Sequence, residues 1–287
     1  MIAEFSYHVP WRAQSVQPGF HAGGLSGGGF EFAGHAPFLS CPDARHLDLR
    51  ASLHDPLGQW LVRRFRQRVA IPVYVLADLS ASMGFRGRLA KLETLAAFVA
   101  ATAYSAYRTG DPFGFFGCDE SIRWELFLPL RFHKGAGQEL YQRLRSFSAQ
   151  GRSAAALIEA VPHLGRQRAL VFLASDFHFP LGHVDALLTA LSGHEVVPVV
   201  LWDRAEYRHL PAWGLAELQD PETGERRRLW LRPTLRENLG RAFARRREML
   251  AELCMAHGRE PFFMVDDFDP DAMSRYFLQG SSPSDSA

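Results

Sequence analysis

One aspartate and two serines with alternate spacing stand directly after a strongly apolar stretch of the chain. Residues 71–77 are nearly all hydrophobic, and Asp78, Ser80 and Ser82 follow in the order Asp-Leu-Ser-Ala-Ser. A carboxylate and two hydroxyls with this spacing can point into one crevice and offer oxygen ligands to a hard divalent cation such as Mg²⁺. The stretch therefore predicts a metal site that keeps an exchangeable position for an outside ligand.

Two later loops offer further oxygen donors. Asp176 comes directly after a second apolar stretch, residues 169–174, and Ser153 precedes a helical pattern that begins near residue 154. Ligands of parallel sheets bind beyond the carboxyl ends of the strands, so we expect both loops at the same edge as Asp78. Capping of the following helix is an equally ordinary role for Ser153, and both roles stay open. The candidate metal ligands are Asp78, Ser80, Ser82, Ser153 and Asp176.

The elements that must position these side chains alternate between strands and helices. Residues 71–77, 169–174 and 195–201 have the apolar pattern of strands buried on both faces, and residues 89–107 have the periodicity of a long helix. This alternation predicts a doubly wound, mostly parallel α/β sheet. Further strands are predicted at 112–117, 121–128 and 262–265, and further helices at 138–147, 154–161 and 184–191.

The chain flanking this α/β pattern has a different character. Residues 1–68 are rich in glycine and proline and predict an irregular N-terminal arm packed on the core, whereas 69–278 form the α/β domain with its C-terminal extension. In that extension, strands at 215–218 and 227–231 flank a turn at Asp220–Gly224, and Thr234 is predicted to cap a helix that ends near residue 257. Residues 279–287 are predicted to be a disordered tail.

Composition excludes several classes of protein. The chain has 287 residues and carries 32 basic and 31 acidic residues, for a formal net charge of +1. Such a balance supplies no general field for nucleic acid or an anionic membrane. Three cysteines far apart in sequence predict no disulfide framework, and neither a signal peptide nor a spanning helix is indicated. We therefore expect a soluble cytoplasmic protein.

The sequence from Asp78 to Ser82 resembles the DxSxS motif of von Willebrand factor A (vWA) domains, and Ser175-Asp176 resembles their later aspartate loop. Its surroundings are similar to the bacterial DUF58 family. That similarity is carried by His46–Ser52, by Leu61–Phe65 and by the turn at Asp220–Gly224, and it covers residues 27–278.

The chain departs from the family pattern at two places. Ser153 stands where the family usually has threonine, so a hydroxyl is kept. The acidic Gly-Asp-Asp segment of the family is replaced by Ser-Cys-Pro-Asp at residues 40–43, which leaves one acid there.

The resemblance implies a metal-ion-dependent adhesion site, holding Mg²⁺ or another divalent cation such as Mn²⁺ or Ca²⁺. It also implies partners: a MoxR-type AAA+ ATPase and a client protein, one of which completes the metal shell with an acidic side chain. The expected function is that of an adaptor in the maturation or metal insertion of the client. No binding of nucleic acid and no insertion into membranes is expected.

An enzyme is the main alternative, namely a metal-dependent phosphohydrolase with Asp78 as nucleophile. Such sites usually carry a second aspartate two residues later, where this chain has Ser80. No general base and no glycine loop for phosphate is identifiable nearby, so we expect no catalytic residues and no enzyme. A purely structural vWA domain with an empty site is the third interpretation.

Four other patterns are interpreted as structural. The Gly-x-Ser-x-Gly stretch at residues 24–28 lacks the strand-to-helix turn of a hydrolase nucleophile and predicts a loop. Cys254 and His257 have the spacing of a zinc pair, but no second pair accompanies them. The arginine runs at 226–228 and 245–247 predict solvated faces, and Asp48 with Arg50 predicts a structural ion pair.

Overall fold

The computed structural model describes residues 3–11, 18–27, 31–87, 90–206, 213–219, 226–231 and 233–280. The chain divides into two compact units, one formed by Val9–Ile71 and the other by Met1–His8 together with Pro72–Ala287. The predicted turn at Asp220–Gly224 and residues 281–287 of the predicted tail lie outside the described residues. Residues 279–280, which were also assigned to that tail, instead end the last helix of the chain.

The strands and helices are numbered along the chain. The strands are β1 (Pro18–Gly27), β2 (Glu31–Pro37), β3 (Leu61–Val69), β4 (Val73–Asp78), β5 (Phe113–Cys118), β6 (Leu128–Arg131), β7 (Leu170–Ser175), β8 (Glu195–Trp202), β9 (Gly214–Gln219), β10 (Arg226–Leu231) and β11 (Phe262–Val265). The helices are α1 (Leu49–Leu53), α2 (Lys91–Arg108), α3 (Ala136–Ser146), α4 (Ala156–Ala160), α5 (Leu181–Ala190), α6 (Pro233–Ala256) and α7 (Pro270–Gly280).

The smaller unit is more regular than the irregular arm that the sequence predicts. Its three strands form an antiparallel sheet in the order β1-β3-β2, and the Gly-x-Ser-x-Gly stretch begins within β1. Glycine is poor in strands, which is why the pattern of this segment suggested a loop. Register shifts in the β1–β3 pairing show how the sheet accommodates it.

The predicted ion pair between Asp48 and Arg50 is wrong. Asp48 instead accepts hydrogen bonds from Arg63 Nε at 2.7 Å and from the backbone N–H of Ala51 at 3.0 Å, and it contacts His35 Nε2 at 3.1 Å. Asp48 is the N-cap of α1, and its carboxylate reaches His35 in β2 and Arg63 in β3. Arg50, within the helix, is exposed.

The larger unit is built on a six-stranded sheet in the order β11-β8-β7-β4-β5-β6, in which only the β5–β6 pairing is antiparallel. The predicted doubly wound, mostly parallel sheet is therefore confirmed. Every residue of β4, β5 and β7 is buried, as their unbroken apolar sequences require. Chain order runs outward in both directions from the β4–β7 pair, so the order reverses between these two strands.

Two sequence-based boundaries need correction, and one helix is missing from the prediction. The strand predicted at 121–128 lies later, at Leu128–Arg131, because the Asp119 carboxylate accepts from Ser121 N and Arg123 Nε and folds the intervening chain into turns. Helix α6 begins at Pro233, so Thr234 lies inside its first turn and does not cap it. Helix α7 was not predicted. The β9–β10 hairpin and the helix that follows it are confirmed.

The N-terminal residues pack into the larger unit. Phe5 packs against Phe98, Phe172 and Phe268 with ring centroids 6.0–6.4 Å apart, so the N-terminal residues belong to this core.

Among the described residues, no helix has both the length and the apolar character needed to cross a membrane.

The N-terminal residues are also tied to the core by Tyr7, whose hydroxyl contacts Asp111 Oδ2 at 2.5 Å and Thr109 Oγ1 at 2.6 Å. We expect Tyr7→Phe to lower the free energy of unfolding by about 1–3 kcal/mol, because buried Asp111 loses a donor. Urea unfolding measures this. The matched control is Tyr104→Phe, because the Tyr104 hydroxyl makes no hydrogen bond within the described ranges; equal loss in both variants would contradict the assignment.

Candidate metal centre

The candidate ligands follow two adjacent strands at the point where the strand order reverses. β4 ends at Asp78, β7 ends at Ser175, and the parallel register places Ala77 opposite Ala174. In doubly wound sheets this reversal leaves a crevice beyond the carboxyl ends of the strands, because the neighbouring connections diverge to opposite faces. The side chains of Asp78 and Asp176 are therefore brought to the crevice by topology alone.

The Asp78 carboxylate is fully buried and its two oxygens are both hydrogen-bonded. The Ser80 backbone N–H donates to Oδ1 at 2.8 Å, and the Ser175 hydroxyl donates to Oδ2 at 2.6 Å. Burial and the neighbouring charge of Asp176 raise the pKa of Asp78 to about 6, although the serine hydrogen bonds oppose the shift. Asp78 is therefore a carboxylate whose charge lacks full compensation, which is a favourable setting for a cation.

Ser80 and Ser82 bring their hydroxyls together beside this carboxylate. Their Oγ atoms are 3.2 Å apart and both side chains are buried, because the chain turns into a short 3₁₀ helix at Ala81–Gly84 directly after β4. The two loops meet through Lys91, whose Nζ donates to the Ser82 carbonyl oxygen at 3.5 Å and to Asp176 Oδ2 at 2.8 Å. Four of the five predicted ligands, Asp78, Ser80, Ser82 and Asp176, are thus brought together.

The fifth predicted ligand, Ser153, lies in a loop that reaches the crevice through Gly151. The carbonyl oxygen of Gly151 accepts from the Ala81 N–H at 2.7 Å, and Gly151 forms a parallel bridge with Ser80. Ser153 is half-buried, and its hydroxyl accepts from the Ala155 N–H at 3.3 Å. The loop is in place, but this hydroxyl makes a local turn contact before α4 and no hydrogen bond to the other four candidates.

Two charged residues that sequence analysis missed complete the crevice. Lys91 Nζ lies 2.8 Å from Asp176 Oδ2 and 2.6 Å from Glu206 Oε1, and its side chain is only 4% exposed. Burial would raise the pKa of Asp176, but the charges of Lys91 and His178 outweigh it and leave that pKa below its usual value. Glu206 follows β8, the next parallel strand, so the rule that located Asp176 could also have located it.

The loop that carries Asp176 is held by contacts from several directions. Phe177 has a left-handed φ of 52°, which is costly for an aromatic residue and persists only where the surroundings enforce it. Its N–H donates to Ser175 Oγ at 2.9 Å, and its carbonyl oxygen accepts from Arg246 Nη2 at 2.6 Å. Trp202 Nε1 donates to the Asp176 carbonyl oxygen at 2.8 Å. The backbone on both sides of the Asp176 side chain is therefore held by hydrogen bonds.

His178 links this loop to Glu206. Its backbone N–H donates to Asp176 Oδ1 at 3.2 Å, and its Nε2 contacts Glu206 Oε2 at 3.0 Å. The imidazole also stacks parallel to Trp202, with an interplanar angle of 2°. Asp176 and Glu206 are thus connected both by Lys91 and by His178.

The donor set fits a hard divalent cation. An octahedral Mg²⁺ with bonds of about 2.1 Å places neighbouring ligand oxygens about 3 Å apart, close to the separation of the two serine hydroxyls. The crevice holds the three carboxylates of Asp78, Asp176 and Glu206 against one ammonium, so it is net negative. No three His, Cys, Asp or Glu side chains form a metal cluster in the described chain, so hydroxyls are needed in the ligand set.

The remaining sequence motifs lie apart from this crevice, with one exception. Cys254 is buried in α6, whereas His257 contacts Asp185 Oδ1 at 2.8 Å, so the two share no zinc site. The prediction of a solvated face at 245–247 is wrong for Arg246, which binds the backbone carbonyls of Phe177 and Phe179.

Fold and site together define an α/β protein with a crevice of carboxylates and hydroxyls at the strand-order reversal, the arrangement expected of a vWA-type domain. The chain belongs to the DUF58 family: residues 42–249 match the family described as "Protein of unknown function DUF58". The sequence-based resemblance is thereby confirmed.

Three individual proteins are similar to this chain. The chain is 37% identical over 98 residues to "Uncharacterized protein in moxR 3'region" of Paracoccus denitrificans, covering 34% of this chain and 93% of the relative. It is 24% identical over 272 residues to "Uncharacterized protein Rv1480" of Mycobacterium tuberculosis, covering 91% and 82%. A solved structure, BatB of Bacteroides thetaiotaomicron, is 14% identical with a TM-score of 0.45, covering 75% and 100%.

The contact through Gly151 generates a test of the loop that carries Ser153. A Cβ atom at residue 151 would lie 2.4 Å from the Asp119 Cβ, so Gly151→Ala must displace the loop. We expect the free energy of unfolding to fall by about 1–3 kcal/mol, as for other overpacked sites. Gly182→Ala, where a Cβ meets open space, is the control in the same urea titration. A Gly151→Ala variant as stable as the wild type would show that the loop is not held there.

Proposed function

We propose that this protein is a metal-ion-dependent protein-binding module rather than an enzyme, acting as an adaptor for a MoxR-type AAA+ ATPase. The proposal rests on one observation: two buried carboxylates and two serine hydroxyls converge at the strand-order reversal. Oxygen ligands of this kind, with few formal charges among the direct donors, suit Mg²⁺ or a similar divalent cation such as Mn²⁺ or Ca²⁺.

The roles of the chain's own residues follow from their contacts. Ser80 and Ser82 offer hydroxyls at the spacing of neighbouring ligands, and Asp78 and Asp176 offer carboxylates fixed by hydrogen bonds from Ser175 and His178. Ser153 is proposed as a further hydroxyl ligand because its loop reaches the crevice through Gly151. A bound divalent cation supplies positive charge at a position that an acidic side chain of a partner can occupy.

The proposed partner follows from family membership together with one relative. The Paracoccus denitrificans relative is described as lying in the moxR 3' region, and it matches this chain at 37% identity over 98 residues. We therefore propose a MoxR-type ATPase as the partner, with a client protein whose maturation or metal insertion the pair assists. An aspartate or glutamate from the ATPase or the client completes the metal shell, and the module acts in the cytoplasm.

The burial of Asp78 supports binding over phosphohydrolase chemistry. A nucleophilic carboxylate must meet the phosphorus atom of its substrate directly, whereas the fully buried Asp78 side chain is approached more readily by a small cation than by a phosphate ester. Ser80 occupies the position where a second catalytic aspartate would stand. The enzyme remains the alternative that kinetics can test.

Asp78→Ala is expected to abolish both Mg²⁺ binding and metal-dependent capture of the ATPase or client. The variant removes a carboxylate that no neighbouring side chain can replace, whereas Ser153→Thr keeps its hydroxyl and should behave as the wild type. Calorimetric titration with MgCl₂ measures the first effect, and a pull-down from the native host with and without EDTA measures the second. Circular dichroism confirms that each variant is folded.

Two results would contradict this proposal. If Asp78→Ala and chelation both leave capture unchanged, the crevice is not the recognition surface. If MgCl₂, MnCl₂ and CaCl₂ all fail to bind the wild type at millimolar concentrations, the domain is structural and its site stays empty.

We further expect the purified protein to show no hydrolytic turnover. With p-nitrophenyl phosphate and p-nitrophenyl acetate as substrates, the rate with Mg²⁺ should equal that of the Asp78→Ala variant, because Asp78 is fully buried and Ser80 stands where a second catalytic aspartate is expected. A rate that disappears in Asp78→Ala and depends on metal would establish the phosphohydrolase instead.

A further inference from the structure

Lys91 occupies a position where a cationic residue is doubly unfavourable. It is the first residue of α2, where the helix dipole repels positive charge, and its side chain is only 4% exposed. Lysine is almost never fully buried unless it is paired. A residue that violates two local rules in a well-ordered part of the fold points to a functional requirement.

The composition of the chain makes the choice of lysine informative. Only two of its 32 basic residues are lysines, Lys91 and Lys134, and all others are arginines. Lys134 is exposed before α3, so the buried cation of the crevice is one of just two places where this sequence departs from arginine. A compact ammonium fits where a planar guanidinium does not, and it can move on a flexible stem.

The ammonium of Lys91 lies against three oxygen atoms. It donates to Asp176 Oδ2 at 2.8 Å and to the Ser82 carbonyl oxygen at 3.5 Å. With Glu206 Oε1, 2.6 Å away, it forms an ion pair that lacks the alignment of a hydrogen bond. Both acceptors belong to candidate metal ligands, so lysine and metal share the same part of the crevice.

We propose that Lys91 is the resident counter-cation of the candidate metal centre: it holds Asp176 and Glu206 while no divalent cation is bound, and it must loosen from Asp176 when one binds. This inference rests on the proposed metal-binding function. Lys91 is a positioning residue that keeps the intrinsic affinity for the metal low. The carboxylate of a partner is then needed for the metal to be held tightly.

The physical basis is competition between like charges for one carboxylate. An ammonium and a divalent cation that share Asp176 lie a few ångströms apart, and in a site of low dielectric their repulsion is large. Removal of the ammonium takes the buried ion pair away from Asp176 and Glu206, which keep their contacts with His178 until a metal arrives. The apo protein should therefore lose stability while the affinity for metal rises.

The primary test compares Lys91→Met with the matched control Lys134→Met, each in the full chain. Calorimetric titration with MgCl₂ should give a dissociation constant at least about tenfold lower for Lys91→Met than for the wild type, a gain of at least about 1.4 kcal/mol. Lys134→Met should equal the wild type. The melting temperature of Lys91→Met should be lower without Mg²⁺ and should rise more when it is added.

The double variant Lys91→Met/Glu206→Gln is a safeguard against misfolding, because it removes the ammonium together with one of the two carboxylates that face it. It too should bind Mg²⁺ more tightly than the wild type. Unchanged or weaker binding in both variants, with binding by the wild type intact, would overturn the role of Lys91 and leave the proposed function standing. Absence of binding in every variant and in the wild type would instead overturn the proposed function, and this inference with it.

A second measurement exploits the presence of only two lysines. Protein labelled with ¹³C-lysine should show two ε-methylene signals, one from Lys91 and one from Lys134, assigned by the single variants. Titration of the wild type with MgCl₂ should shift the Lys91 signal and leave that of Lys134 in place. A metal-induced stabilisation that leaves the Lys91 signal unmoved would show that the ammonium does not respond to the ion.

Discussion

The structure of the candidate site depends on one constraint, the placement of two carboxylates side by side in a buried crevice. Parallel pairing of β4 and β7 fixes Asp78 beside Ser175, and Asp176 follows at once. Two adjacent buried negative charges are costly unless they receive hydrogen bonds and positive charge. Ser175, Ser80, His178 and Lys91 supply these, and each of them is best understood as a response to the two aspartates.

Most of the fold could be predicted, and so could the convergence of four of the five candidate ligands. Both depend on patterns that can be read locally in the sequence. Unbroken apolar stretches identify β4 and β7, and the strand-end rule then locates Asp78 and Asp176. Lys91 could not be recognised in the same way, since its significance lies in contacts with Asp176 and Glu206, which are 85 and 115 positions later in the chain. The strand predicted at 121–128 was misplaced for a different reason, because hydrogen bonds from Ser121 and Arg123 to the Asp119 side chain override the local strand propensity.

The C-terminal extension contributes to the site although it carries none of the candidate ligands. Helix α6 reaches the Asp176 loop through Arg246, whose guanidinium binds the carbonyl of Phe177 at its strained backbone. Trp202, at the end of β8, supports the preceding carbonyl. Hydrogen bonds from the extension and from the sheet thus stabilise the left-handed backbone of Phe177 and the adjacent peptide of Asp176.

The burial of Lys91 has a practical consequence for the study of complexes. With Lys91 enclosed, Lys134 is the one exposed lysine among the two in this sequence. Amine-reactive cross-linkers and acylating probes will therefore modify lysine almost only at Lys134 and leave most of the protein surface unlabelled. Carboxylate-directed or photoreactive cross-linking is the appropriate chemistry, whereas a dye coupled to Lys134 gives a nearly homogeneous conjugate for fluorescence measurements of binding.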